Sequence, residues 1–442
     1  MFIALLLYLL LVLIRPQDYP ALADYATVPL QPVVLLVAAG LWLFAPDKRF
    51  EAPQYLLLGA FFMAMLASHV FNGWVGGAIE QAGKFAPIVL AFVVFANGLD
   101  RRSRILRVMA MFAACGTVLA VHGIEQATTG RSWTGIELSQ GTRIQYVGIF
   151  NDPNDLGMLF VACVPMAAYL GSRGGLLGLR RLFWMLALGV LVYGVYLTDS
   201  RGALLALLAV MGVFVWQRRG LMTAGALGAM AVGVLLALPS RFSEIDPEEE
   251  SAQGRVESWF EGLQMFREHP LFGVGPDQYT DYNPLTAHNS FVLVLAETGI
   301  VGFTIWLAFV VYGFRMMWAG SRPLGELTWE SEAAPAADGD AELALAELDA
   351  IEADMAEGRA ISMTLLLSLV GFFTASFFLS RSYVIVLYLL SALVVAQYTE
   401  QRRGDPALPS FALGDDLLLW PVVGLCSTIG LYILVKILLV MQ

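Results

Sequence analysis

Charge is scarce in this sequence: Asp, Glu, Lys and Arg make up 14% of 442 residues, against 58% hydrophobic ones. Soluble domains carry about 25% charged residues, so an ordinary soluble fold is excluded. Cysteine is scarcer still. Its three copies, Cys115, Cys163 and Cys426, all fall in apolar stretches, which argues against a disulfide framework or a cysteine metal cluster and leaves small packing residues. Only four histidines occur, His69, His122, His269 and His288, with no H-x-x-x-H pair and no His/Cys ligand spacing. A metal site therefore has little support. A glycine-rich phosphate loop of the P-loop or dinucleotide type is missing too, as is any internal repeat, and no cofactor is expected.

What the chain has is long apolar runs. Residues 182–198 and 361–379 carry no charge and approach the length needed to cross a bilayer core of about 30 Å. Thirteen such stretches can be marked: 1–14, 30–45, 53–71, 82–97, 105–124, 154–171, 182–198, 202–216, 221–238, 289–313, 361–379, 383–398 and 416–439. The first has neither a basic flank nor a small-residue cleavage site and reads as a first helix rather than a removed leader. The expected fold is all-α: a polytopic membrane helix bundle of about 12–13 spans forming one transmembrane domain over 1–442.

The net charge of −11 belongs to one segment. Glu326 to Glu357 hold eleven acids and no base; without them 26 acids face 26 bases. Part of this stretch, "AELALAELDAIEADMAEG", suits a soluble helix. The preceding "EAAPAADGDAE" reads as linker. Residues 323–360 are thus expected to be a solvated acidic loop without chemistry. Sixteen of the 26 bases, among them Arg49, Arg102, Arg173, Arg315, Arg359 and Arg403, fall in one set of alternate loops, which identifies the cytoplasmic side. Loops near 15–29, 72–81, 125–153, 199–201, 239–288 and 380–382 then face outward, and His288 with them.

The outward polar residues are few. In "YLTDSRGALLALL", Asp199 or Ser200 can cap a helix whose first turn carries Arg201. An arginine beside a helix N-terminus suits an oxyanion or phosphate; the alternative is a snorkelling side chain at the headgroups. The loop 239–288 is the one outward segment large enough to cap the bundle. It opens with the acidic run "EIDPEEE". In the following "GRVESWFEGLQMFREHP", Val256, Trp259, Phe260, Leu263 and Phe266 share one helical face. That helix is expected to lie along the membrane interface with Trp at headgroup depth and Arg255 at its start. "LFGVGPDQY" then supplies turns leading to "AHNSF", where Asn289 or Ser290 caps the next span. His69, His122 and His269 read as structural or headgroup residues. His288, at a helix entrance below the long loop, suits general-base work. In "TRIQYVGIFNDPNDLGML", Asp152 caps a helix opening with Pro153, Asp155 lies in its first turn, and Arg143 could reach a lipid phosphate. Glu297, eight residues into a span, must face protein or a wet cavity.

"TDSRGALLAL", "GRVESWFEGLQMFREHPLFGVGPDQY" and "AHNSFVLVLAETGIVG", in this order and spacing, resemble the signature region of the O-antigen ligase and O-antigen polymerase family. The resemblance implies an inverting, metal-independent glycosyltransferase in the bacterial inner membrane with a site facing the periplasm. Its donor would be a glycan on undecaprenyl pyrophosphate. Its acceptor would be a lipid A–core sugar for a ligase or another lipid-linked glycan for a polymerase. Membrane lipids are the remaining partners, and nucleic acid is not expected. Arg201, Arg255 and His288 match the family's essential arginines and histidine, and Arg143 is carried over as a substrate-binding residue. Trp259 and Asn289 are expected to help bind substrate, and the 239–288 loop to form part of the site. A transporter of lipid-linked oligosaccharides is the rival from another class. It would carry charge along the bundle interior, where this sequence has little.

Overall fold

The computed structural model describes residues 1–22, 29–175, 178–237, 252–322 and 338–441. The expected run "EIDPEEE" and most of the linker before the acidic helix lie outside them. Fifteen α-helices occur among the described residues: α1 Phe2–Leu13, α2 Leu30–Leu43, α3 Pro53–Phe71, α4 Val75–Gly98, α5 Arg102–Thr129, α6 Pro153–Ser172, α7 Leu179–Leu197, α8 Arg201–Arg219, α9 Leu221–Ala237, α10 Ala252–Glu268, α11 Tyr279–Tyr282, α12 Ser290–Ser321, α13 Asp338–Ser376, α14 Ile385–Gly404 and α15 Leu419–Val440. Leaving out α10 and α11, each coincides with one of the thirteen apolar stretches.

Nine of them are long and apolar enough to cross a membrane: α3 to α8, α12, the Asp349–Ser376 part of α13, and α15. The chain is a multi-pass membrane helix bundle. Along α15, Val422, Leu425, Ile429, Ile433 and Ile437 are all about half exposed. That spacing of three and four residues makes an apolar stripe, as a lipid-facing helix requires. At the centre α6 is almost wholly buried and packs on α5, α7, α8 and α13, while α12 packs on α3, α13, α14 and α15. Lipid tails are as apolar as Leu, so close backbone approach and dispersion hold such helices together. Gly157 of α6 sits against Ala203 and Thr198, and Gly371 of α13 against Val161 and Val210.

The Ala-, Leu- and Glu-rich part of the acidic segment is helical, as its composition suggests; α13 runs unbroken from Asp338 into the apolar span. Its Asp354 and Glu357 pair with Arg102, and Glu357 also with Arg173. The last turns of the acidic stretch are thus part of one charged end of the bundle. Arg102, Arg173, Arg315 and Glu400 gather at that end; the described residues of the loops expected to face outward are bonded to one another at the other.

α12 breaks at Gly299, which has φ +63. The chain after α10 passes through this break. Val274 N donates to Ala296 O at 3.0 Å, Gly275 N to Glu297 O at 2.9 Å and Ile300 N to Pro270 O at 2.9 Å. "LFGVGP" is therefore a strap that satisfies the backbone of the broken helix, as a membrane interior demands. A Cβ on Gly299 would strike the Leu271 carbonyl and the Phe272 nitrogen. Glu297 is only 1% exposed and accepts from Tyr279 N at 3.3 Å, so it faces protein.

Candidate functional site

Three of the motif segments converge on the C-terminal end of α13. Ser200 caps α8 by accepting from Ala203 N, while Asp199 takes the left-handed backbone of the turn, φ 49. Arg201 is therefore the first residue of α8, exposed at its N-terminus. Beside it, a Cβ on Gly202 would stand 3.3 Å from Phe378 Cβ. Trp259, one turn beyond Arg255, packs its ring 5.5 Å from that of Phe377. Phe291, three residues after His288, lies 6.2 Å from the same ring. The Phe377–Phe378 pair thus joins the starts of α8, α10 and α12.

His288 stands in the left-handed region, φ 46, half-buried immediately before the cap of α12. A non-glycine residue there costs about 1–3 kcal/mol and persists only where its surroundings fix it. Those surroundings are explicit. Asn289 caps α12, its Oδ1 accepting from Phe291 N at 2.9 Å and Val292 N at 3.0 Å. Thr286 and Ser380 share a hydrogen bond of 2.9 Å between their hydroxyls. Arg381 N donates to Ser290 Oγ, and Ser382 Oγ to Ser290 O, both at 2.9 Å. The turn carrying His288 is stitched to residues 380–382 on both sides.

Arg381 reaches further. Its Nε and Nη2 grip both carboxylate oxygens of Asp155. Asp155 lies one turn into α6, behind the cap Asp152, which accepts from Asn154 N at 2.7 Å. Arg143 Nη2 donates to Asn154 Oδ1 and its Nε to Thr198 O, each at 3.0 Å. A continuous path of bonds therefore runs from the His288 turn through Arg381, Asp155 and Arg143 to the turn before Arg201. Arg381 and Asp155 were not singled out by sequence reasoning as site residues. Arg381 was legible only as one of ten bases outside the cytoplasmic set, and Asp155 only as a first-turn acid; 226 residues separate them.

Expectations for single residues fare differently. Arg143, read as able to reach a lipid phosphate, is 8% exposed and donates to the Thr198 carbonyl and to Asn154, since a guanidinium this deep needs acceptors. Trp259 is 5% exposed, and α10 packs on α12 and α15. Lys436 of α15 lies over the Phe260 ring at 4.7 Å. His122 is structural: its Nε2 is bonded to Thr134 Oγ1 at 2.8 Å and to Ser132, pinning the 130–152 loop to α5. His69 packs edge-on against Trp74, and His269 lies beside Tyr282. Among the described residues no group of three or more His, Cys, Asp or Glu is placed to hold a metal.

Arg255 Nε, Trp259 Nε1 and Asn289 Nδ2 are buried donors without a hydrogen-bond partner among the described residues. Each such orphan costs about 1–3 kcal/mol. Donors of this kind suit a ligand rich in acceptor oxygens. The neighbouring Tyr279 hydroxyl stays protonated, burial and then Glu297 holding it well above the usual tyrosine range, and donates to Ser258 O.

A cavity of about 620 Å³ opens beside these turns, lined by loop 139–155, Arg381 and Val384. Its loop is firmly held. Gln126 Nε2 donates to Ile136 O at 3.0 Å and to Glu137 O at 2.9 Å, and Gln126 Oε1 accepts from Gln145 N at 2.9 Å. Tyr146 donates to Ile14 O at 2.8 Å.

A family model described as O-antigen ligase matches residues 184–307. That range holds Arg201, Arg255, Trp259, His288 and Asn289, and leaves out Arg143 and Arg381. An O-antigen polymerase of Salmonella muenchen is 22% identical over 303 residues, covering 64% of this chain and 72% of that protein. Both matches fall on the family that the motifs resemble. Together with the bundle they support a membrane glycosyltransferase role.

Proposed function

From this kinship with the O-antigen ligases and polymerases, we propose that the chain is a bacterial inner-membrane glycosyltransferase whose site faces the periplasm. It moves a glycan from undecaprenyl pyrophosphate to an acceptor sugar hydroxyl, as an O-antigen ligase does. The observation that carries the reading is the set of buried donors of Arg255, Trp259 and Asn289 that have no partner among the described residues, together with the fixed left-handed turn of His288 next to Asn289. Such donors suit an oxygen-rich, anionic group, and the reading brings that group to the imidazole.

The chemistry follows from those roles. ATP is not available outside the membrane, so the energy arrives in the donor's glycosyl–phosphate bond. His288 takes the proton of the acceptor hydroxyl, whose oxygen forms a bond to the anomeric carbon from the face opposite the pyrophosphate. The bond from that carbon to the phosphate oxygen breaks, configuration inverts, and undecaprenyl pyrophosphate leaves as the anion. Arg201 and Arg255, always charged, stabilise the negative charge that builds on its oxygens without need of a metal. The N-terminus of α8 adds its own positive end behind Arg201. The polyprenyl tail stays in lipid.

A second reading, polymerisation of lipid-linked repeat units, is favoured by the Salmonella relative's name. Both share the site and differ in the acceptor. Deleting the gene and examining surface glycan separates them. Long chains accumulating on undecaprenyl pyrophosphate identify a ligase, single repeat units a polymerase. An unchanged surface glycan and lipid-linked pool sinks both.

A further inference from the structure

The 620 Å³ cavity beside the site has a chemistry different from that of an anion pocket. Its charged lining consists of Arg143, Arg381, Asp152 and Asp155, two bases against two acids. The bases are engaged with the protein itself. Arg381 holds Asp155 with two nitrogens and the Ser380 carbonyl with the third, at 3.2 Å. Arg143 holds the Thr198 carbonyl and Asn154. The side chains of Ser139, Gln140 and Asn151 line the same space and make no hydrogen bond to the described residues. Ile149, Pro153 and Val384 add apolar wall.

Amides and hydroxyls that both donate and accept, over a charge-balanced floor with apolar patches, match the alternating hydroxyl and C–H faces of a sugar. The volume lies within the roughly 300–1,000 Å³ of small-ligand sites. The walls are pre-organised by the bonds of Gln126 to the loop and of the loop's Tyr146 to Ile14, so little ordering opposes binding. The cavity also adjoins the reacting centre through Arg381, whose backbone N–H is bonded to Ser290, two residues from His288.

We propose that this cavity is a glycan subsite, holding neutral, hydroxyl-rich sugar units next to the reacting sugar, while the pyrophosphate lies apart from it at Arg201 and Arg255. The proposal rests on the glycosyltransferase reading and adds to it the residues that select the sugar. Ser139, Gln140 and Asn151 are the specificity side chains; Arg143, Asp155 and Arg381 frame them.

The test uses the full chain in lipid nanodiscs and two probes: bare undecaprenyl pyrophosphate, and the same lipid carrying one repeat unit from the host. A triple variant, Ser139→Ala with Gln140→Gly and Asn151→Ala, removes the three free side chains without breaking a hydrogen bond of the fold. Glycine is chosen at 140 because the backbone there has φ 51. Each lost contact weakens binding roughly fivefold. The variant should therefore bind the glycan-loaded lipid, or show affinity for acceptor glycan in the transfer assay, about a hundredfold more weakly. Its affinity for the bare lipid should match wild type. Loss on the donor arm assigns the cavity to the donor's sugars, loss on the acceptor arm to the acceptor's. Equal loss for bare and loaded lipid would show a pyrophosphate pocket and overturn the proposal. Wild-type behaviour on all arms would overturn it as well. Absence of transfer by wild-type protein that still prefers the loaded lipid, with the preference abolished by the triple variant, would sink the transferase reading and leave the subsite standing.

Discussion

Replacing Arg381 by lysine probes how the site is held together. Asp155 is almost fully enclosed, its side chain 3% exposed, and Arg381 is 31% exposed. The guanidinium covers both carboxylate oxygens; lysine keeps the charge and covers one. One charge-assisted hydrogen bond is thus removed, worth about 1.5–3 kcal/mol. At about 1.4 kcal/mol per factor of ten, the ceiling on turnover loss is roughly tenfold to a hundredfold. Because the 380–382 turn is bonded to Thr286 and Ser290, the displacement reaches His288. Misplacement of a catalytic group by about 1 Å alone can cost a factor of about a hundred. Arg381→Lys and Asp155→Asn should each lower kcat within that range. The double variant should lose less than the product of the two, as partners in one bond do. Steady-state transfer by purified protein over a range of pH is the assay. The shape of the pH profile should not move, because Arg381 positions the base and exchanges no proton. Turnover within twofold of wild type for both single variants would refute the reasoning. So would a displaced pH profile, which would put Arg381 in the proton transfer itself.

Arg201→Lys and Arg255→Lys should each reduce turnover by about a hundredfold or more and raise the apparent donor KM, since lysine cannot grip two phosphate oxygens at once; kinetics equal to wild type in both would leave Arg201 a snorkelling side chain. Transfer should persist in EDTA, and activity that vanishes and returns only with a divalent ion would overturn the arginine mechanism. Removing residues 326–350 should leave turnover near wild type. Extending the deletion through Glu357 should lower the yield of folded protein, because Asp354 and Glu357 pair with Arg102 and Arg173; equal yields would show those pairs to be dispensable.

The helical stretches were legible because a bilayer permits little else: apolar runs of sufficient length have to be helices. The caps were legible as well, since Asp152, Ser200 and Asn289 stand where short polar side chains meet an apolar run. What was not legible is long-range. The Arg381–Asp155 pair joins segments 226 residues apart, and no local pattern announces it. The strap at 270–275 reads as simple turns, and only the break at Gly299 reveals that it completes another helix. Periodicity identified the apolar face of α10 that carries Trp259 but not that α12 and α15 cover it. The helix in the acidic stretch was legible from its composition, but not its continuity with the following span. His288 was picked out by type and position. Its left-handed backbone, which favours Asn and Gly over most residues, was visible only in the structure.

That backbone decides how the central claim is best tested. Alanine at 288 would combine loss of the base with strain at φ 46. Asparagine tolerates the left-handed turn and carries no basic nitrogen. The measurement is single-turnover transfer from glycan-loaded undecaprenyl pyrophosphate to acceptor by purified His288→Asn protein, with donor binding followed in parallel and His269→Ala as the control. The account predicts transfer lowered by about a hundredfold or more, donor affinity retained, and normal transfer by the control. Near-normal transfer by a well-folded His288→Asn protein would contradict it.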